Sequence, residues 1–167
     1  MLVDQLIFNS SSRKPTLASK PILLCISIIE PNMKLEDFCS FPTNGTKMVV
    51  GTGSFMEHLR CVYQDVHFVG NKPEASIAHY YANADVLVCP NGCQGLEGII
   101  QRASCCGTPV AARSHAMTDG LIIDYVTGMV SDDLCKAIDG CLALDRDMIE
   151  QIGHTFFAGQ NNLISQA

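Results

Sequence analysis

The segment DVLVCPNGCQGLEGIIQRASCCGTPVAA, residues 85–112, decides the fold. Its first residues form a short, mostly apolar run that ends at Pro90, and this run predicts a β-strand over 85–89. Three evenly spaced glycines follow and predict a tight turn: Gly92, Gly95 and Gly98. Because glycine tolerates backbone conformations that other residues avoid, the chain can change direction here within a few residues.

A mostly apolar run follows the turn and predicts a helix over 96–106. Gly107 suits the C-terminal end of that helix, and residues 108–112 predict a second buried strand. A strand, a helix and a parallel strand form a βαβ unit. The helix of such a unit directs free N–H groups and a positive dipole end at the carboxyl edge of the sheet. The segment therefore predicts an anion site at that edge, with a tight turn that binds nothing as the alternative.

Length and charge limit the classes of protein. The chain has 167 residues, of which 47% are apolar, so it can form one domain with a sizeable core. The net charge of −6 argues against binding nucleic acid through a basic surface. No apolar run reaches the length of a membrane span, and the first eight residues lack the length and the basic start of a secretory signal.

The cysteine content indicates the cellular compartment. The chain has nine cysteines and no C-x-x-C pair, and most of the nine fall in predicted strands and helices. This pattern favours buried, reduced thiols in a cytoplasmic protein over disulfides or a zinc site.

Strands and helices alternate along the whole chain. Strands are predicted over 22–29, 47–50, 66–69, 85–89, 108–112 and 128–130. Helices are predicted over 34–40, 54–63, 73–84, 96–106, 118–124, 132–142 and 145–157, with Ser54 capping the second. The rhythm predicts a Rossmann-like three-layer α/β sandwich, with a parallel sheet of about six strands and helices on both faces. We assign 1–20 to an interdomain segment and linker, 21–158 to the domain and 159–167 to a flexible tail.

Five segments resemble one family in their order and spacing. They are LVDQLIF (2–8), GTKMVVGTGSFMEHLRCVYQDVHFVG (45–70), IAHYYANADVLVCP (77–90), CCGTPVAA (105–112) and LDRDMIEQIGHTFF (144–157). Together they resemble the C-terminal, nucleotide-sugar-binding half of a family-four, group 1 glycosyltransferase of the two-Rossmann (GT-B) type. The nearest resemblance is to bacterial mannosyl- and sulfoquinovosyl-type transferases.

The resemblance implies a function for the complete enzyme. A sugar would pass from a GDP- or UDP-linked donor to a lipid or glycan hydroxyl, with retention and without an obligatory metal or cofactor. An N-terminal Rossmann domain, in the same chain or another, would carry the acceptor side, so this chain alone is expected to be inactive. That domain could also place the protein peripherally at the inner membrane. The alternative is a degenerate, non-catalytic binding or interaction module.

Two family carboxylates map onto other residue types in this chain. In the family they flank the turn, and one contacts the donor sugar while the other holds the ribose. Here they correspond to Gln94 and Arg102, and the family's Phe-Gly pair corresponds to Leu96 and Glu97. The resemblance implies that backbone N–H groups between Gly95 and Gly98 hold the diphosphate. Glu97 places a negative charge in that turn.

Two family cations that neutralise the diphosphate are also replaced. Their positions hold Ile28 and Met33, and Lys34 is the nearest residue that could substitute. The carboxyl-edge position after the third strand, where the family seats the base, holds Asn71 and Lys72.

Two further residues have open interpretations. His115 follows the fifth strand at the carboxyl edge, where ligands bind in open α/β sheets, and faces either a ligand or the protein. Arg102 is either a surface cation or a group that reaches the ribose or phosphate.

Overall fold

The computed structural model describes residues 4–92, 95–116 and 120–164, with side chains described as far as 156. It contains a six-stranded parallel sheet in the order β3-β2-β1-β4-β5-β6. The strands are β1 (Ile22–Ile26), β2 (Thr46–Val50), β3 (Val66–Gly70), β4 (Val86–Cys89), β5 (Val110–Ala112) and β6 (Gly128–Val130). The helices are α1 (Glu36–Cys39), α2 (Met56–Val62), α3 (Glu74–Asn83), α4 (Leu96–Cys105), α5 (Leu134–Cys141) and α6 (Arg146–Ile164).

The strand order creates a switch point in the middle of the sheet. The chain runs outward from β1 through β2 to β3, then returns to pair β4 with β1 and continues outward to β6. Ligands in open α/β sheets bind at the carboxyl ends of the strands, where the order reverses. The cleft described below lies at this edge.

Helices cover both faces of the sheet and bury two apolar layers. One layer joins α3, α4 and the N-terminal Phe8, whose ring contacts Tyr81 edge-on at 5.7 Å between centroids. The other layer joins α1, α2 and α5. Because both faces are covered, the central strand β1 is apolar along its whole length and almost wholly buried. The predicted Rossmann-like three-layer fold and its parallel sheet of about six strands are confirmed.

The amino edge of the sheet is held by a polar network that we call the basal clamp, comprising Lys20, Ile22, Asp85 and Arg146. The Asp85 carboxylate accepts hydrogen bonds from the Ile22 N–H at 2.7 Å and from Lys20 Nζ at 2.8 Å, and Arg146 lies 3.5 Å away. Arg146 also donates to the carbonyls of Gly107 and Ala82. The clamp therefore joins the start of α6 to β1, to the start of β4 and to the end of α4.

Three local predictions from the sequence are wrong. Ser54 does not cap α2, which begins at Met56; its N–H instead donates to the Glu30 carboxylate at 2.9 Å. Residues 120–124 are not helical, because Gly120 is left-handed and the Ile123 N–H donates to Thr127 Oγ1 at 2.8 Å, which closes a turn. β1 ends at Ile26 instead of continuing to residue 29.

Most of the described cysteines are buried, as the sequence predicts. Eight of the cysteines lie within the described residues, none of these eight forms a disulfide, and six of them are buried. Burial raises the pKa of Cys105 to about 11 and that of Cys39 to about 12, so these thiols stay protonated at neutral pH. Cys61 and Cys135, on the outer faces of α2 and α5, are exposed. No described helix has the length and apolar character needed to cross a bilayer.

Candidate functional site

The glycine turn and α4 form one wall of the candidate site. Gly95 is the N-cap of α4 and has φ = 80°, a left-handed conformation that favours glycine. The next residue, Leu96, is buried in the core and fixes the start of the helix. The free N–H groups of the first turn of α4 therefore lie at the carboxyl edge of the sheet, as the sequence predicts.

A cleft of ≈ 440 Å³ opens beside this turn. Its walls come from the segments that follow β1, β2 and β3, and from one face each of α3 and α4. The apolar lining includes Ile28, Ile77 and Ile99, and the polar lining includes Asn71 and Lys72. Among the described residues that line it, Lys72 is the sole charged side chain. The cleft therefore combines an apolar surface with a single cation and a helix amino end.

The loops after β1 and β2 approach closely because of a glycine. Gly51, at the end of β2, has φ = 140°, and a Cβ atom there would lie 1.9 Å from the Ser27 carbonyl oxygen. The Ser27 N–H donates to the Val50 carbonyl at 3.1 Å, and the Ile29 N–H donates to that of Thr52 at 3.0 Å. These backbone contacts fix the wall of the cleft that carries Ser27 and Ile28.

Polar side chains join the loops around the cleft. Glu30, after β1, accepts hydrogen bonds from Ser54, after β2, and these bonds hold the pKa of Glu30 below its ordinary value. Asn91, after β4, donates to the Met33 carbonyl at 2.6 Å. Neither link was predicted from the sequence. Polar residues just beyond two strand ends are visible in the sequence, but it does not indicate their partners.

His115 is placed by the same network. Its Nε2 lies 2.9 Å from Asn91 Oδ1, and its ring is exposed and outside the lining of the cleft. The contact chain His115–Asn91–Met33 therefore links the segments after β5, β4 and β1. The described contact of the histidine ring is therefore with the protein, at Asn91.

Arg102 lies outside the lining of the cleft, one turn beyond Ile99 on α4. Its guanidinium donates to Glu74 Oε1 at 2.7 Å and lies 5.1 Å from the centroid of the Phe8 ring. Its side chain is 18% exposed. Arg102 therefore joins α4 to α3 and to the N-terminal segment.

The residues at the other predicted positions differ in whether they line the cleft. Ile28 is 57% exposed and lines the cleft, whereas Met33 packs partly buried against the core. Lys34 is exposed in a left-handed conformation, φ = 47°, and does not line the cleft.

The first turn of α4 contains two more predicted residues. Glu97 is exposed there and accepts a hydrogen bond from Gln101 at 3.1 Å, and Gly98 is buried beside it. Gln94 lies outside the described residues. The cleft therefore brings together Asn71, Lys72 and Gly95 from the predicted set. Within the described part of the chain, no three His, Cys, Asp or Glu side chains are arranged to hold a metal ion.

Several solved structures have a similar fold. Anabaena Alr3699/HepE in complex with UDP matches with a TM-score of 0.71 and 16% identity over 99% of this chain and 55% of its own. Sucrose-phosphate synthase from Thermosynechococcus elongatus matches with a TM-score of 0.68 and 22% identity, over 98% and 50% of the two chains. The lipopolysaccharide outer core galactosyltransferase WaaB matches with a TM-score of 0.68 and 17% identity, over 93% and 52%.

The chain therefore spans about half the length of these structures, and identities this low establish the fold alone. No curated protein sequence matches the chain. The model of the family described as "Glycosyl transferases group 1" matches residues 23–145, which include five strands, all of β1 except its first residue, and the cleft. The chain belongs to the group 1 glycosyl transferase family.

Proposed function

We propose that this chain binds a nucleotide sugar in the carboxyl-edge cleft and acts as the donor-binding half of a glycosyltransferase. The observation that carries the proposal is the position of the cleft, which lies beside the switch point and is bounded by the glycine turn at the start of α4. Family membership supports it, and so does the similar fold of Alr3699/HepE, which has been solved with UDP and with UDP-glucose.

The residues that line the cleft suggest which part of a nucleotide-sugar donor each of them contacts. Asn71, just after β3, offers an amide to the edge of a base, and Ile77 and Ile99 offer apolar surface to its ring. The diphosphate of a UDP- or GDP-linked donor would lie toward the N–H groups at the start of α4. A second Rossmann domain would position a lipid or glycan hydroxyl for transfer with retention and without a metal.

We expect the donor to bind weakly. The family's two cations are replaced by Ile28 and Met33, and each lost charged hydrogen bond removes about 1.5–3 kcal/mol. At about 1.4 kcal/mol per factor of ten, a micromolar affinity would fall to roughly millimolar. Glu97, exposed in the first turn of α4, opposes the diphosphate further.

Titration followed by NMR tests the proposal, since millimolar dissociation constants are accessible to that method. UDP, GDP and their sugars are added to the ¹⁵N-labelled chain, with ribose 5-phosphate as a control that carries a phosphate but no base. We expect saturable shifts at Gly51, Asn71 and Gly95 with one nucleotide series. Labelled nucleotide sugars and lipid acceptors should give no turnover with this chain alone. Absence of saturable nucleotide binding at these residues would contradict the proposal and favour a non-catalytic module.

A further inference from the structure

Carboxylates pair with most of the cations in this chain. The sequence has eleven Lys and Arg residues, all within the described ranges, and seven of them form ion pairs with Asp or Glu. Arg13, Lys14, Lys34 and Lys72 form none with a carboxylate that the structure describes. Of these four, Lys72 alone lines the carboxyl-edge cleft.

The position of Lys72 is electrostatically unfavourable without an anion. Lys72 lies between the end of β3 and the amino end of α3, where the helix dipole disfavours a positive charge. It is partly buried. The nearest acid along the chain, Glu74, is bound by Arg102 at 2.7 Å. Among the described residues, no carboxylate forms an ion pair with Lys72, which lines the same cleft as Gly95 at the start of α4 and also borders the cavity between α3 and the sheet.

We propose that Lys72 binds the phosphate groups of the nucleotide and replaces the two cations that the family carries after its first strand. The inference rests on the proposed function, since it assigns a residue to the ligand of that same cleft. An anion between Lys72 and the start of α4 would meet an ammonium and backbone N–H groups together.

An arginine at position 102, where the resemblance implies a carboxylate, is consistent with this role of Lys72. A carboxylate at 102 would leave Glu74 without its cation, two residues from Lys72. The Arg102–Glu74 pair instead occupies Glu74 and leaves the Lys72 ammonium to the ligand. Lysine suits this role because its ammonium binds phosphate as a mobile point charge.

The test compares a nucleoside with its diphosphate on the full chain. Uridine and UDP, and guanosine and GDP, are titrated by NMR at low salt into the wild type, Lys72→Gln, Lys72→Arg and the control Lys34→Gln. We expect the diphosphate to bind the wild type at least about tenfold more tightly than the nucleoside. That advantage should fall severalfold in Lys72→Gln and persist in Lys72→Arg and Lys34→Gln, with nucleoside affinity equal in all four. Added NaCl should weaken diphosphate binding more in the wild type than in Lys72→Gln.

Three results would overturn the inference, and they differ in what they say of the cleft. If Lys72→Gln keeps the full diphosphate advantage while its thermal melting is unchanged, another group binds the phosphates. If the wild type binds nucleoside and diphosphate equally, the nucleotide site remains and the phosphate role is wrong. If the wild type binds neither, the proposed function fails as well.

Discussion

Arg102 and Glu74 form a hydrogen-bonded ion pair, with Nη2 2.7 Å from Oε1, that joins the middle of α4 to the first residue of α3. The same guanidinium lies over the Phe8 ring, so three separate segments meet at this side chain. Arg102 is therefore part of the protein's own packing. A carboxylate at this position, which the sequence resemblance implies for the family, would remove these contacts.

We predict that Arg102→Glu lowers stability without improving ligand binding. The change places two carboxylates together and removes the cation from Phe8; at this partly exposed pair the sum is about 1–2 kcal/mol. Such a loss lowers the melting temperature by several degrees in a chain of this size. Thermal melting gives the measurement, with Glu57→Gln in the exposed Glu57–Arg60 pair as the control. Tighter binding of UDP or GDP to Arg102→Glu than to the wild type would show that the side chain at position 102 contacts the ligand.

Ile28→Arg should strengthen nucleotide binding. Ile28 is 57% exposed at the edge of the cleft, so a longer polar side chain fits there without disturbing the core. A guanidinium at this position restores one charged contact, and we expect diphosphate affinity to rise by about tenfold. NMR titration with UDP and GDP measures it, and the matched neutral variant Ile28→Gln should leave affinity unchanged. Equal gains in both variants would point to added polarity instead of charge.

Asp85→Asn should destabilise the fold and leave the cleft intact. The carboxylate is 16% exposed and serves the Ile22 N–H, Lys20 and Arg146 at once, so its loss lowers the free energy of unfolding by about 1–3 kcal/mol. Urea unfolding measures the change. Lys20→Gln is the control, because Lys20 is 68% exposed and its pair contributes less than about 1 kcal/mol. Nucleotide affinity is measured at pH 7 under conditions where Asp85→Asn remains folded. A changed affinity would contradict the claim that the clamp at the amino edge does not affect the cleft at the carboxyl edge.

The Asp65–Lys47 pair predicts a loss of stability in acid. Lys47 is 4% exposed, and its hydrogen bond to Asp65 lowers the pKa of that carboxyl below its ordinary value. A lowered folded-state pKa contributes stability above the unfolded pKa of about 3.9, and this contribution is lost as pH falls through the folded-state value. Because Asp65 is 66% exposed, we expect about 1 kcal/mol. Urea unfolding of Asp65→Asn between pH 6 and pH 3 should therefore change less with pH than that of the wild type. Parallel pH profiles for the two proteins would refute this.

The sequence was informative about elements and poor at pairing side chains. Apolar runs and glycine turns predicted the sheet, because periodicity and turn chemistry are local properties of the chain. The side-chain links of the site join residues that are distant along it: Glu30–Ser54, Met33–Asn91 and Glu74–Arg102 are 24, 58 and 28 positions apart. Ser54 is an example. The local sequence predicts that it caps a helix, but its hydroxyl instead donates a hydrogen bond to Glu30, which is distant along the chain.

The placement of the basal clamp has an evolutionary consequence. The clamp ties the sheet together at its amino edge, while the cleft opens at the carboxyl edge, so the two sets of residues occupy opposite ends of the same strands. Substitutions around the cleft can accumulate without weakening the clamp. Ligand binding at the cleft can therefore change while the chain still folds, and melting temperature carries little information about whether the cleft binds a ligand.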